Sequence, residues 1–407
     1  MMSEPVVIVG LGADGLDGLS PRALVAVRGA SFLAGGRRHL RLIGPTVAET
    51  FPITDNIEAL VGRLACRGPE ERCVVLASGD PLFFGIGHRI LEALGRDQVR
   101  VEASISSMQL AFARVGLSWH DAAIASVHGR PLKPTLLPLL GHPKIGLFTR
   151  DGDSPSEIAG FFLAHGLQGE YDTWVCENLN SPDEAVIPST LSDLIGRRFD
   201  DLNVLVLCRQ TTPPGVIPVP RDDAFAVPQT GPVLLTHQDI RALVLRRFRG
   251  LGAGPIWDIG AGLGGVSVEL ARQFPDNEIV AFERSPVRLE FLRTNRRKFE
   301  AFRVRVVEGE ASECLIGEES PVGVFLGGSG GKLDAILGLV TEKLRPGGRF
   351  VANFVGLENL ASVLDRLRRV GWPSELTQVQ VSEGRPLAGL TTLVPERPVW
   401  IVTAVKP

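Results

Sequence analysis

The sequence predicts an α/β chain of two domains, the second built on a doubly wound parallel sheet. Three observations predict it. Two glycine-rich loops, GLGADG at Gly10 to Gly15 and GAGLGG at Gly260 to Gly265, each follow an apolar strand-like run. Strand-like and helix-like runs alternate through both halves of the chain. Between the halves, TTPPGVIPVPRDDAFAVPQTGP (Thr211 to Pro232) holds six prolines in 22 residues. Proline fixes its own φ and lacks an amide donor, so neither a helix nor a central strand runs through this segment. The expected layout is a first domain over 1–210, a linker over 211–229 and a second domain over 230–407.

In the first domain, the apolar run Val6 to Val9 leads into the first glycine loop. GLSPRALVAVRGA then starts a helix over Pro21 to Arg28, with Ser20 as N-cap and Pro21 at the first helical position, where a missing N–H costs nothing. Cys73 to Ala77 is the next strand, followed by a helix from Phe83 to Leu94. Asn203 to Leu207 is a strand at the domain's end. A Gly/Pro-rich break at His128 to Lys144 divides the domain into two lobes.

In the second domain, Thr236 or His237 opens the helix QDIRALVLRRF, whose apolar residues Ile240, Leu243, Val244 and Phe248 fall at helical spacing. Strand PIWDIG, helix GVSVELARQF, strand EIVAFE and helix PVRLEFLRTNRRKF follow. Strands VRVVEG and VGVFLGG, helix DAILGLVTEKL and strand GRFVANFV complete the alternation. Strands joined through helices pair in parallel, which gives the doubly wound sheet. The tail PVWIVTAVKP adds a late strand.

At 407 residues the chain has room for two or three domains. A net charge of −3 lacks the basic surplus of a dedicated nucleic-acid binder. The five cysteines, Cys66, Cys73, Cys176, Cys208 and Cys314, are scattered without a C-x-x-C, so no disulfide framework or zinc site is indicated and a reducing cytoplasm fits. No basic leader and no apolar stretch of ~18 residues is present, so neither export nor membrane anchoring is expected. His88, His120, His128, His165 and His237 lack metal-ligand spacing, and no metal is expected. No Ser-His-Asp or Cys-His order supports nucleophilic hydrolysis.

Both glycine loops satisfy G-x-G-x-x-G, the spacing of a dinucleotide site. The first lacks the acidic residue expected ~20 positions later, since nothing acidic stands between Asp17 and Glu49. The second has its acid in Glu283, placed to accept both ribose hydroxyls, but Asp258 also precedes the glycines. An acid there suits S-adenosylmethionine (SAM), which has no pyrophosphate to repel it and carries a cationic methionine end. Gly260, Gly262 and Gly264 allow close approach of a ligand to the backbone. GGSGGK at Gly327 to Lys332 follows a strand at the ligand-binding edge, and also reads as a surface loop. Asn353 and Glu358, in LRPGGRFVANFVGLENL, lie near the same edge as candidate catalytic residues; Glu358 reads equally as a solvated helix-start acid. In the first domain, Gly79, Asp80 and Pro81 follow the strand CVVLA, as a ligand turn or a plain strand-to-helix turn. Ser106 and Ser107 precede a helix, where hydroxyls cap it or meet a ligand.

VVIVGLGADGLDGLSPRA, AGGRRHL, LASGDPLFFGIG, SISSMQLAFARVGLSWHDA with SVHGR, and ENLNSPDE resemble the tetrapyrrole methylase family, in its C5-methylating cobalamin-pathway branch. LLTHQDIRALVL, DIGAGLGGVSVEL, VEGEASE, VFLGGSGG and LRPGGRFVANFVGLENL resemble its decarboxylating C15-methylating partner. The resemblance covers nearly the whole chain outside the linker. It implies a two-lobed tetrapyrrole methylase fold followed by a Rossmann-like class I SAM methyltransferase domain, with two SAM sites. In the second half it places cofactor contacts at Thr236, Gly260, Ala261, Gly262, Leu263, Gly264, Glu283 and Ala311. In the first half it places them at Gly10, Gly12, Gly79, Asp80, Pro81, Ser106 and Ser107. The chain departs from the family's G-x-G-P-G at the first loop and has His237 where a lysine often follows the threonine.

The implied activity is bifunctional methylation of a precorrin at carbons 5 and 15, with loss of carbon dioxide from the ring C acetate. Methyl transfer to carbon needs an in-line approach and exclusion of water. A protonated imine of the macrocycle supplies the electron sink for decarboxylation, so no metal is required. Substrate carboxylates call for cations, and Arg241 and Lys332 are the candidate clamp beside Gly327, Gly328 and Ser329. The expected partner is a small tetrapyrrole, with no nucleic acid and no membrane, and the expected assembly is a homo-oligomer. The alternatives are another SAM-dependent methyltransferase fusion, a dehydrogenase, or a non-catalytic SAM-binding module.

Overall fold

The computed structural model describes residues 4–210, 220–230 and 233–407. The chain divides into two compact units, one of Met1–Thr135, His142–Gly160 and Gln168–Thr211, the other of Leu136–Gly141, Phe161–Leu167 and Thr212–Pro407.

The first unit holds two five-stranded sheets. Strands β1 (Val6–Leu11), β2 (Phe32–Gly36), β3 (Glu49–Ile53), β4 (Cys73–Ser78) and β5 (Val99–Glu102) form an all-parallel sheet in the order β3-β2-β4-β1-β5. Its central strands are buried on both faces: Val6, Ile8 and Val75 pack on one side, Val7, Val9 and Leu76 on the other. That double burial is why they read as unbroken apolar runs. The second sheet contains β6 (Ala123–Ser126), β7 (Lys144–Phe148), β8 (Tyr171–Glu177), β9 (Ala185–Thr190) and β10 (Asn203–Arg209), ordered β6-β7-β10-β8-β9 and mostly antiparallel.

Ser20 caps the helix Pro21–Arg28, its Oγ accepting from Ala23 N at 3.2 Å. The helix expected from Phe83 begins only at Gly87. Asp80 holds the intervening residues as a turn, with Oδ1 accepting from Leu82 N at 2.9 Å and its carbonyl accepting from Phe83 N.

The second unit carries β11 (Ile256–Ile259), β12 (Ile279–Glu283), β13 (Val304–Glu308), β14 (Gly323–Leu326), β15 (Arg349–Phe354), β16 (Ser374–Val379) and β19 (Val399–Val405), with a separate hairpin of β17 (Ser382–Leu387) and β18 (Leu390–Pro395). The sheet order is β13-β12-β11-β14-β15-β19-β16; the first five strands are parallel, and β19 alone is reversed, pairing antiparallel with both β15 and β16. Trp257, Val280 and Val324 pack on one face, Ile256, Ala281 and Phe325 on the other.

Part of the segment expected to be linker belongs to this unit. Phe225 is 4% exposed and packs in the core against Phe299, with ring centroids 4.7 Å apart. Asn295 Nδ2 donates to Ala226 O at 3.0 Å, and Ala226 N donates to Asn295 Oδ1 at 2.7 Å. The apolar residues of DDAFAV, set among the prolines, are what the core takes up. Residues 211–219 and 231–232 of the proline-rich segment lie outside the described residues.

Candidate functional site

In the second unit, β11 and β14 are neighbours from which the sheet extends in opposite directions. Open α/β sheets bind ligands at the carboxyl ends of such a strand pair. The two glycine loops meet there. Gly260 N and Ala261 N donate to Phe282 O at 3.0 Å, and Gly327 N donates to Ile259 O at 2.9 Å. Gly260 has φ +73°, and a Cβ on it would stand 2.5 Å from Gly328 O, so only glycine lets the loops close on each other.

A cleft of about 630 Å³ opens above these loops, a size that suits a cofactor-class ligand. Thr236, Gly260, Ala261, Gly262, Glu283, Ala311, Gly327, Gly328, Ser329 and Asn353 all line it. Glu283 is 4% exposed. Its Oε1 accepts from Arg284 N and Ser285 N, and its Oε2 from Gly262 N, each at 2.9 Å. A carboxylate offers about four acceptor positions, so three are taken and one, on Oε2, is left. The expectation that Glu283 accepts both ribose hydroxyls is thus reduced to one. Asn353 lines the cleft, and its side-chain amide is buried with Oδ1 and Nδ2 unpartnered.

Other candidates stand elsewhere. Leu263 is buried, and Gly264 caps the helix Gly265–Gln273 with φ +85°; neither lines the cleft. Asp258 lies beneath the turn, 0% exposed, its Oδ2 accepting from Ser267 Oγ. Burial pushes its carboxyl up to about 7, and the Glu283 charge pushes the same way.

Arg241 does not reach the cleft. It is 0% exposed. Its Nε donates to Glu269 Oε1 and its Nη1 to Asp222 Oδ1, each at 2.5 Å; Nη1 also donates to Thr236 O and Nη2 to Pro220 O. Every arm of the guanidinium is spent inside the protein, which corrects the substrate-clamp expectation. Lys332 and Glu358 are exposed helix-start residues outside the cleft lining. The cations that do line it are Arg284, Arg288 and Arg397, with His237 beside them. Arg284 pairs with Glu310 at 2.7 Å, and Arg288 lies 3.6 Å from Glu283. The one signal for the first of these was its position directly after the strand-closing Glu283.

In the first unit, β1, β4 and β5 end at one edge, and the three expected segments converge there. Gly79 N donates to Leu11 O at 3.2 Å, and Ser104 N donates to Gly79 O at 3.1 Å. A Cβ on Gly10 would stand 1.8 Å from Gly79 O. A second cleft, of about 490 Å³, is lined by Gly12, Gly79, Asp80, Ser106 and Ser107, while Gly10 and Pro81 are buried behind it. Ser106 is engaged in a capping box: its Oγ accepts from Gln109 N at 3.2 Å, and Gln109 Oε1 accepts from Ser106 N at 3.0 Å. Arg38, His39, His128 and Phe84 also line this cleft. His39 Nε2 lies 2.9 Å from Ser78 Oγ. Burial, then the Arg38 charge, lowers its pKa below the usual histidine value.

Among the described residues, no group of three or more His, Cys, Asp or Glu is placed to hold a metal ion, and no helix is long and apolar enough to cross a membrane.

Residues 5–195 match the tetrapyrrole (corrin/porphyrin) methylase family, and residues 230–406 match the precorrin methyltransferase domain family. The chain is 31% identical over 407 residues to a precorrin-6Y C(5,15)-methyltransferase (decarboxylating) of Sinorhizobium sp, covering 98% of this chain and 97% of that protein. Two Salmonella typhimurium proteins each match less than half of it. One, a cobalt-precorrin-6B C(15)-methyltransferase (decarboxylating), is 35% identical over 46% of this chain and 95% of its own. The other, a cobalt-precorrin-7 C(5)-methyltransferase, is 37% identical over 44% of this chain and 87% of its own. The chain belongs to the precorrin-6Y C(5,15)-methyltransferase (decarboxylating) family.

Proposed function

We propose that the protein methylates precorrin-6Y at carbons 5 and 15 and removes carbon dioxide from its ring C acetate, using one SAM site in each unit. The first unit acts at carbon 5; the second decarboxylates and acts at carbon 15. One observation carries the reading: each unit gathers its own set of glycine-rich segments at the carboxyl edge of its own parallel sheet, beside its own cleft. The two Salmonella relatives, named for the separate reactions, support the division.

The cleft of the second unit fits SAM by its hydrogen-bonding groups. Glu283 keeps one acceptor position for a ribose hydroxyl, and the glycine turn leaves room for an adenosine beside the backbone. When bound, SAM supplies a methyl group on an electrophilic sulfonium. The chain's own residues orient and enclose. Asn353 offers its unpaired amide to the reacting end of the cleft, and Arg284, Arg288 and Arg397 offer charge to substrate carboxylates. Enclosure excludes water from the methyl donor.

Calorimetric titration of the full chain with S-adenosylhomocysteine tests the two-site reading. Two molecules bound per chain is the expected result, falling to one in either Gly79→Val or Gly260→Val. A single site lost entirely in one of these variants and untouched in the other contradicts it.

A further inference from the structure

Phe84 carries a strained backbone. Its φ is +56°, a left-handed conformation that a bulky residue with a Cβ rarely adopts. Such strain persists where the surroundings impose it, and it concentrates at ligand sites. The side chain so placed is 41% exposed and lines the cleft of the first unit. Its ring lies 5.0 Å from the Phe83 ring and 5.6 Å from the Phe148 ring, making an apolar floor on the cleft wall. The Arg130 guanidinium sits 5.1 Å from the Phe84 ring centroid. Arg130 is exposed and has no carboxylate partner among the described residues. An arginine held by an aromatic ring keeps its donor fork free for an incoming anion.

We propose that Phe84 and Arg130 together form the tetrapyrrole seat of the first unit, Phe84 meeting the flat apolar macrocycle and Arg130 pairing with a peripheral carboxylate. The inference rests on the reading of the first unit as the carbon 5 methyltransferase and assigns substrate recognition within it. A broad conjugated ring edged with carboxylates is the ligand class that this pairing of exposed aromatic and free guanidinium matches. Phe84 shares the first unit's cleft with Gly79 and Asp80, whereas Arg130 is not among the residues that line it, so Arg130 is the member of the seat separable from cofactor binding.

Phe84→Gly and Arg130→Met in the full chain test the seat. Glycine adopts φ +56° without strain, so Phe84→Gly is expected to hold or raise the unfolding temperature while raising KM for the precorrin in carbon 5 methylation by roughly tenfold to a hundredfold. Arg130→Met is expected to raise the same KM, with added salt narrowing its difference from wild type. Arg130→Met should retain S-adenosylhomocysteine binding at the first site, and both variants should retain full carbon dioxide release. A KM unchanged in both variants overturns the seat. A lowered unfolding temperature in Phe84→Gly with KM unchanged assigns Phe84 to packing and also overturns it. Wild-type protein that adds no methyl at carbon 5 instead overturns the reading beneath the proposal, a distinct result.

Discussion

Asp258→Asn isolates the energetic consequence of burying an acid beneath the second glycine turn. The wild-type carboxyl is fully buried and pushed from its ordinary 3.8 up to about 7. The folded chain therefore holds this proton more tightly than the unfolded chain does. Below pH 3.8 both states are protonated and nothing is lost. As pH rises toward 7, the unfolded state ionises while the folded state stays neutral, and stability drains away at up to 1.36 kcal/mol per pH unit. Across the full interval the loss is about 4 kcal/mol, and between pH 5 and pH 7 it is about 2 kcal/mol. Asparagine has nearly the same shape, can still accept from Ser267 Oγ, and has no proton to lose. Urea unfolding of the full chain, followed by tryptophan fluorescence from pH 5 to 8, reads the difference. Asp258→Asn should gain on wild type by about 3 kcal/mol over that range, the gain levelling off above pH 7. A gap that stays constant, or that favours wild type as pH rises, refutes the neutral buried carboxyl.

Glu283→Ala removes the acceptor for three backbone amides and the free Oε2 position, and should weaken S-adenosylhomocysteine at the second site by roughly 1–3 kcal/mol. Equal weakening at both sites in calorimetry would remove Glu283 from its assigned cleft. Arg241→Met leaves Glu269, itself 5% exposed, with an unpaired charge and should destabilise the second unit by roughly 3–5 kcal/mol. Arg241→Lys should not rescue it, because four acceptors around one planar fork suit arginine alone. A normal unfolding temperature with a raised substrate KM would restore Arg241 as a clamp. Asn353→Ala removes two unpaired buried polar atoms, so thermal unfolding should be unchanged or higher. The same variant should slow carbon dioxide release; unaltered release would take Asn353 out of the chemistry.

Legibility in the sequence followed how local the determining physics was. Ser20 and Pro21 mark a helix start through contacts within three residues, and that helix lies at Pro21–Arg28 as read. The strands β1, β4 and β10 announce themselves by continuous apolar runs. β2, with sequence FLAGG, does not, since its glycines at 35 and 36 dilute the pattern that Phe32, Leu33 and Ala34 begin. Asp80 decides the Phe83 boundary by a side-chain bond to Leu82 N that propensity does not register. The glycine loops were legible because their spacing encodes a turn, and the structure brings them to their clefts. Arg241 was misread because its partners Asp222 and Pro220 come from a stretch whose prolines masked its packing residues. Phe84 and Arg130 stand 46 residues apart and meet only through the fold.

Site-selective inactivation within the full chain tests the division of labour most directly. Gly79→Val and Gly260→Val are each incubated with precorrin-6Y and SAM, and the products are read by mass spectrometry. Gly79→Val should release carbon dioxide and add one methyl group at carbon 15. Gly260→Val should retain the acetate carboxyl and add no methyl group at carbon 15. Carbon dioxide release that survives Gly260→Val, or that is abolished by Gly79→Val, contradicts the assignment.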